Sequence, residues 1–196
     1  YGYKWLRYLM DNSLGGCLAD DMGLGKTLQA ITLITSLHLT PKRKTLIIMP
    51  KSLIYNWESE IKKFSPDLKC GIYYGNFRDK SIFSSVEVII TTYGTVRNDI
   101  EYLKEMKFDL IVLDESQNIK NVNAQTTKAV MLLNSKYRLA LSGTPIENNL
   151  GELYSLFRFL NPSMFGTLDE FNYHYANPIQ KENDKEAKTI YAIPGH

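Results

Sequence analysis

Asp20-Asp21-Met22-Gly23-Leu24-Gly25-Lys26-Thr27 follows the strand-like run Gly16-Cys17-Leu18-Ala19 directly. It opens a stretch in which Leu28, Ile31, Leu33, Ile34 and Leu37 recur at roughly helical spacing. A glycine turn between strand and helix, closing on Lys-Thr, is the setting a phosphate-binding loop requires. Gly23 and Gly25 let the backbone approach phosphates, with N–H groups pointing inward and the positive end of the helix dipole behind them. Lys26 adds a charge for the β- and γ-phosphates, and the Thr27 hydroxyl suits Mg2+. Asp21, Met22, Gly23, Leu24, Gly25, Lys26, Thr27 and Leu28 are therefore the candidate ATP-binding residues. The strict pattern has glycine five residues before Gly25, where this chain has Asp20.

Working outward, apolar runs alternate with helical stripes. The runs are Gly16–Ala19, Thr45–Met49, Cys70–Tyr74, Val86–Ile90, Leu110–Leu113 and Tyr137–Leu141. Several are continuously apolar, as in strands covered on both faces. The stripes include Leu53, Trp57, Ile61 and Phe64, then Val96–Met106 and Ala124–Leu133. This alternation predicts an α/β fold with a mainly parallel sheet flanked by helices on both faces. Trp5, Leu6 and Leu9 read as the core face of an opening helix. Leu150–Leu160 forms an apolar helix ended by Asn161-Pro162, and Asp169–Tyr175 suggests another before Asn177-Pro178. Lys181–Lys188 is charged and poor in apolar residues, the composition of a flexible end. The expected division is a nucleotide-binding lobe over 1–160 and a helical extension or linker over 161–196.

Leu110-Ile111-Val112-Leu113-Asp114-Glu115 is an apolar strand ending in two carboxylates. In open α/β sheets ligands bind beyond the carboxyl ends of strands. Asp114 can meet a metal directly or through its water, and Glu115 can orient and deprotonate an attacking water. Ser142-Gly143-Thr144-Pro145 also follows an apolar strand. Its hydroxyls fall on the same edge, suited either to coupling with the acidic pair or to an ordinary turn.

Hydrophobic residues at 44% and charged residues at 22% are ordinary globular composition, so disorder is not the expectation. A net charge of +2 names no partner. Cys17 and Cys70 are too few for a disulfide framework or a zinc site and read as reduced thiols. The apolar run Leu46–Met49 is cut by Pro50 and far too short to cross a membrane.

The order and wording of these motifs resemble the SWI/SNF-type ATPases of the superfamily-two helicases. Asp20 to Gln29 is similar to their first motif, including aspartate where other families have glycine. Pro50, Leu53 and Trp57 resemble the next motif and Thr91-Thr92-Tyr93 the one after. Asp114-Glu115-Ser116-Gln117-Asn118-Ile119-Lys120-Asn121 resembles the acidic motif, and Leu141 to Asn149 continues into Glu152-Leu153-Tyr154 in the family's manner. Tyr1 to Leu6 resembles the end of the adenine-recognition segment. The likeness covers roughly residues 1 to 180.

The resemblance implies a RecA-like P-loop lobe, with ATP and Mg2+ as cofactors and Thr27 and Asp114 as metal-facing residues. It implies Lys26, Asp114, Glu115 and Gln117 as the catalytic set, and Ser142, Gly143 and Thr144 as the coupling segment. Ser116-Gln117 stands where relatives have Ala-His or Ala-Gln, so Gln117 carries over only a hydrogen-bonding role. Gly94 stands where many relatives have glutamate. Lys51, Ser52, Thr91 and Thr92 are implied on an edge facing double-stranded DNA. The expected activity is translocation along duplex DNA that remodels or displaces bound proteins. The alternatives are a strand-separating helicase and a nucleotide-sensing module without turnover. A second RecA-like lobe of the same polypeptide is the expected partner, and these 196 residues alone are expected to be largely inactive. The Gln-Asn-Ile-Lys-Asn wording resembles prokaryotic members, implying a nucleoid-associated cytoplasmic protein; a eukaryotic member would be nuclear.

Overall fold

The computed structural model describes residues 2–19, 25–143, 150–164 and 170. The chain opens with α1 (Gly2–Asp11), β1 (Gly16–Ala19), α2 (Lys26–His38) and β2 (Thr45–Met49). A 3-10 turn (Lys51–Leu53) leads into α3 (Ile54–Phe64), β3 (Cys70–Ile72), α4 (Ile82–Ser85) and β4 (Val88–Thr92). Next come α5 (Tyr93–Asn98), α6 (Ile100–Leu103) and β5 (Lys107–Leu113). A second 3-10 turn (Ser116–Ile119), α7 (Gln125–Leu132), β6 (Asn134–Ser142) and α8 (Leu150–Leu160) follow.

The six strands form one sheet in the order β1-β6-β5-β2-β4-β3, and every pairing is parallel. Parallel neighbours need helical crossovers, which cover both faces, and this explains why Thr45–Met49 is apolar without alternation. All five of its residues are buried. Period-two alternation then sorts the strands' side chains into two cores. Ile47, Met49, Ile90, Leu110, Val112 and Leu141 join Ile31, Ile34, Trp57 and Ile61 of α2 and α3 on one face. Leu46, Ile48, Ile89, Ile111, Leu113 and Ala140 join Val96, Val130, Leu156 and Phe159 of α5, α7 and α8 on the other.

Several boundaries differ from expectation. The stripe Val96–Met106 is two short helices, α5 and α6, separated at Asp99, followed by a strand that starts at Lys107. Asp99 there has φ −108° and ψ 17°, outside helical geometry, and its carboxylate is engaged elsewhere. β5 and β6 each begin three residues before the apolar run that announces them, because ladder pairing carries on through polar residues that hydropathy does not see. β4 is shifted toward Thr92, which places Thr91 and Thr92 inside the sheet.

Trp5 corrects the reading of the opening helix. Leu6 and Met10 enter the core, whereas Trp5 is 41% exposed. One residue turns a helix by about 100°, so Trp5 and Leu6 cannot both face the neighbouring α2. The end of the expected stripe on α3, Phe64, is also exposed. Among residues 161–196, only 161–164 and 170 are described, so the expected second helix, charged end and linker lie outside the described residues. No described helix is long and apolar enough to cross a membrane.

Candidate nucleotide-binding site at the carboxyl edge of the sheet

Strand register brings the sequence motifs to one edge. Ala19, the last residue of β1, pairs with Ser142 at the end of β6. Leu113 of β5 pairs with Ile48 of β2, and the Asp114 N–H donates to the Ile48 carbonyl at 2.8 Å. β1, β6 and β5 thus end side by side, with Asp114, Glu115 and the Ser142 end of β6 at the same edge, where ligands bind in such sheets.

Of the glycine turn, Asp20 to Leu24 lie outside the described residues, which include Asp21, Met22, Gly23 and Leu24 of the candidate set. Gly25 sits at φ 77° and ψ 27°, a left-handed conformation that glycine adopts without strain. It is the N-cap of α2, and no side chain caps that helix end. No acidic residue stands in its first turn. The helix therefore directs its positive end at the turn, the arrangement that favours an anion. Lys26 and Thr27 are the first two helical residues, both half-buried, and Leu28 is exposed.

Asp114 is held from several sides. It is 9% exposed, and its Oδ2 accepts the Trp57 indole N–H at 2.7 Å. Its Oδ1 accepts the Glu115 backbone N–H at 2.9 Å, and its carbonyl accepts the Tyr93 hydroxyl at 2.7 Å. Alternation explains the direction. Asp114 follows Leu110 and Val112, which face α2 and α3, and it meets Trp57 of α3 on that side. Burial raises the Asp114 carboxyl above its ordinary value. The Trp57 and Glu115 hydrogen bonds and the Lys26 charge oppose that rise, while the Glu115 charge adds to it. The Lys26 charge, at the start of α2, thus reaches Asp114, far away in the chain. Burial, with the Asp114 and Glu115 charges, pushes the Tyr93 phenol well up, which keeps it a hydrogen-bond donor.

Glu115 adopts φ 50° and ψ 55°, a strained left-handed conformation for a residue with a side chain. That turn breaks the strand and starts the Ser116–Ile119 turn. Gln117 then donates from Nε2 to Glu115 Oε2, and its Oε1 accepts the Ser142 hydroxyl at 3.3 Å. A hydrogen-bond chain therefore links Ser142 to Glu115 through Gln117. Gly143 is half-buried at the same edge, and Thr144 lies outside the described residues.

The four residues expected to face DNA separate into two pairs. Lys51 and Ser52, in the 3-10 turn after β2, are exposed. Thr91 is fully buried, and its hydroxyl donates to the Tyr73 carbonyl at 2.7 Å. Thr92 is buried too; its hydroxyl oxygen caps α5 by accepting the Thr95 N–H at 3.1 Å. Both hydroxyls are committed inside the fold, which narrows the expected contact edge.

Two holders of Asp114, Trp57 and Tyr93, were not among the expected site residues. A signal existed for the first: a tryptophan in a buried stripe needs an acceptor for its N–H. Sequence did not say which acceptor, because that depends on the strand that α3 crosses. Cys17 and Cys70 are free thiols, and burial raises them to about 11 and about 12, so both stay protonated.

Comparison with known proteins agrees with this geometry. The SNF2-related domain family matches residues 1–193. YwqA of Bacillus subtilis is 40% identical over 193 residues, covering 95% of this chain and 21% of that protein. The chromatin-remodeling ATPase INO80 of Vanderwaltozyma polyspora is 37% identical over 205 residues, covering 95% of this chain and 13% of that protein. The chain thus spans about a fifth or less of the length of these relatives, which are bacterial and fungal alike. The Sulfolobus solfataricus SWI2/SNF2 ATPase core in complex with dsDNA superposes with a TM-score of 0.88 at 41% identity, covering 96% of this chain and 40% of that one. With a RecA-like sheet, its motifs on one edge and this likeness along nearly its whole length, the chain belongs to the SNF2-related domain family.

Proposed function

We propose that this chain is the nucleotide-binding lobe of an ATP-hydrolysing motor that translocates along double-stranded DNA and displaces proteins bound there. One observation carries the reading: Lys26, Asp114 and Glu115 share one sheet edge, with Gln117 joining the acid to the Ser142 segment. The relatives add direction, since one is a chromatin-remodeling ATPase and one solved core is complexed with dsDNA.

The donor set fits Mg2+. Thr27 and Asp114 offer hard oxygens, and the described residues contain no group of three or more His, Cys, Asp or Glu that could cage a metal. Mg2+ at nucleotide sites takes one or two protein oxygens and completes its shell with water and phosphate. Thr27 and Asp114 would hold it, and when bound it neutralises charge on the phosphates. Glu115 orients the attacking water and accepts its proton, with Gln117 fixing the carboxylate. Lys26 attracts the transferred phosphoryl group. Lys51 and Ser52, exposed in the turn after β2, are the residues we assign to DNA phosphates; such contacts position without reading sequence. A second lobe in the same polypeptide closes over this edge.

The test is ATP hydrolysis by the intact protein with and without duplex DNA. Duplex stimulates the wild type, Lys26→Ala abolishes turnover, and Glu115→Gln lowers it at least about 100-fold while nucleotide still binds. Turnover that survives both substitutions defeats the proposal. Strand displacement in the same assay would point to a helicase, and binding without any hydrolysis to a nucleotide-sensing module.

A further inference from the structure

We propose that Trp57 is a positioning residue for Asp114, and that its indole N–H sets the carboxylate for the Mg2+-bound nucleotide. The proposal rests on the functional reading above and adds a residue to the site.

Trp57 is 0% exposed, packed among the apolar residues between the sheet and α2 and α3. A buried indole must place its N–H on an acceptor, and a backbone carbonyl would serve. Here the acceptor is the carboxylate at the end of β5, at 2.7 Å, well inside the range for a hydrogen bond to a charged oxygen. The terminal torsion of an aspartate is broad and roughly two-fold, so a carboxylate held at one oxygen can still rotate. Asp114 is held at both, Oδ1 by the Glu115 N–H and Oδ2 by the indole. The donors come from different elements, and the wholly buried ring has no freedom to follow a swinging carboxylate.

The main chain at Asp114 is secured independently. Its N–H reaches the Ile48 carbonyl at 2.8 Å, and its carbonyl receives the Tyr93 hydroxyl at 2.7 Å. Losing the indole N–H therefore frees the side chain and leaves the strand end in place. Partners that orient a metal-facing ligand commonly contribute about 10-fold or more to metal affinity or activity.

The test uses the intact protein with ATP and Mg2+. Trp57→Phe keeps most of the apolar body and removes the donor. Replacement of Trp57 by 3-benzothienylalanine keeps the full ring shape without the N–H, and serves if the phenylalanine variant misfolds. The Mg2+ concentration giving half-maximal nucleotide binding rises about 10-fold in either variant. Nucleotide affinity in EDTA and the unfolding temperature of the isosteric variant stay at wild-type values. A purely structural role would instead lower the unfolding temperature and weaken both affinities together. Wild-type Mg2+ dependence in a folded variant overturns the proposal and leaves the functional reading intact. A wild-type protein that binds no Mg2+-nucleotide overturns both.

Discussion

At Asp99 one carboxylate receives both arms of Arg78, Nε on Oδ2 and Nη2 on Oδ1, each at 2.6 Å. It also receives the Tyr73 hydroxyl at 2.7 Å, and Arg78 Nη1 donates to the Gly75 carbonyl at 2.7 Å. This cluster fastens the loop after β3 to the break between α5 and α6. The Arg78 guanidinium holds the Asp99 carboxyl below its ordinary value of 3.8. A lowered folded value means that the unfolded chain takes up the proton first, so this stabilisation is present above pH 3.8 and is lost as pH falls through the folded value. Asp99→Asn should therefore be less stable than wild type at pH 7 by about 1–2 kcal/mol, with the gap closing below pH 3.8. Chemical denaturation across that range checks it, and a gap independent of pH would refute the assignment. The cluster was not legible in the sequence. Asp99 lies inside an apolar stripe that reads as one helix, and only the distant Arg78 and Tyr73 explain why the helix stops there.

Among the elements, α8 depends most on close backbone approach. The Gly15 N–H donates to Asn161 Oδ1 at 3.0 Å, just beyond the helix end. A Cβ on Gly15 would lie 2.3 Å from the Leu160 carbonyl oxygen, a contact no relaxed side chain tolerates. Arg138 of β6 adds donors to the Phe159 carbonyl at 3.0 Å and to the Leu133 carbonyl at 2.6 Å. A cation on carbonyls near the ends of α7 and α8 is also favoured by their dipoles. Burial pushes the Arg138 guanidinium down to about 10, so it remains charged at neutral pH. Ser155 of α8 donates to the Ile119 carbonyl, which ties the helix to the turn carrying Gln117. Gly15→Ala should destabilise the fold by about 1–3 kcal/mol and raise amide exchange in α8 ahead of the β-sheet. Unchanged exchange in α8 would mean that the helix is held without this approach. The helix itself was legible from its apolar run and the Asn161-Pro162 stop; its seat against Gly15 was not, because that glycine carries no periodic signal.

At the scale of the whole molecule, the described residues form one sheet with a core on each face and the candidate site residues at its carboxyl edge. On the proposed function, arginines from a second lobe reach the nucleotide from beyond this edge, and arginine fingers contribute about 10³–10⁵ in rate. Residues 1–196 alone should therefore bind nucleotide yet turn ATP over at least about 10³-fold more slowly than the intact protein. Steady-state hydrolysis by both forms, with and without duplex DNA, measures this. Robust DNA-stimulated turnover by the shorter form would show that one lobe suffices.

Local chemistry and periodicity, read from the chain alone, determined the parallel α/β sheet, the place of Gly25 at the start of α2 and the acidic pair at the end of β5. Each is written in residues adjacent in sequence, where backbone conformation and hydropathy act directly. Tertiary structure alone decided that Trp57 meets Asp114, that Gln117 bridges Glu115 and Ser142, and that Thr91 and Thr92 turn inward. Those pairings follow from strand order and from the face each helix covers, and neighbouring residues along a chain carry no record of either.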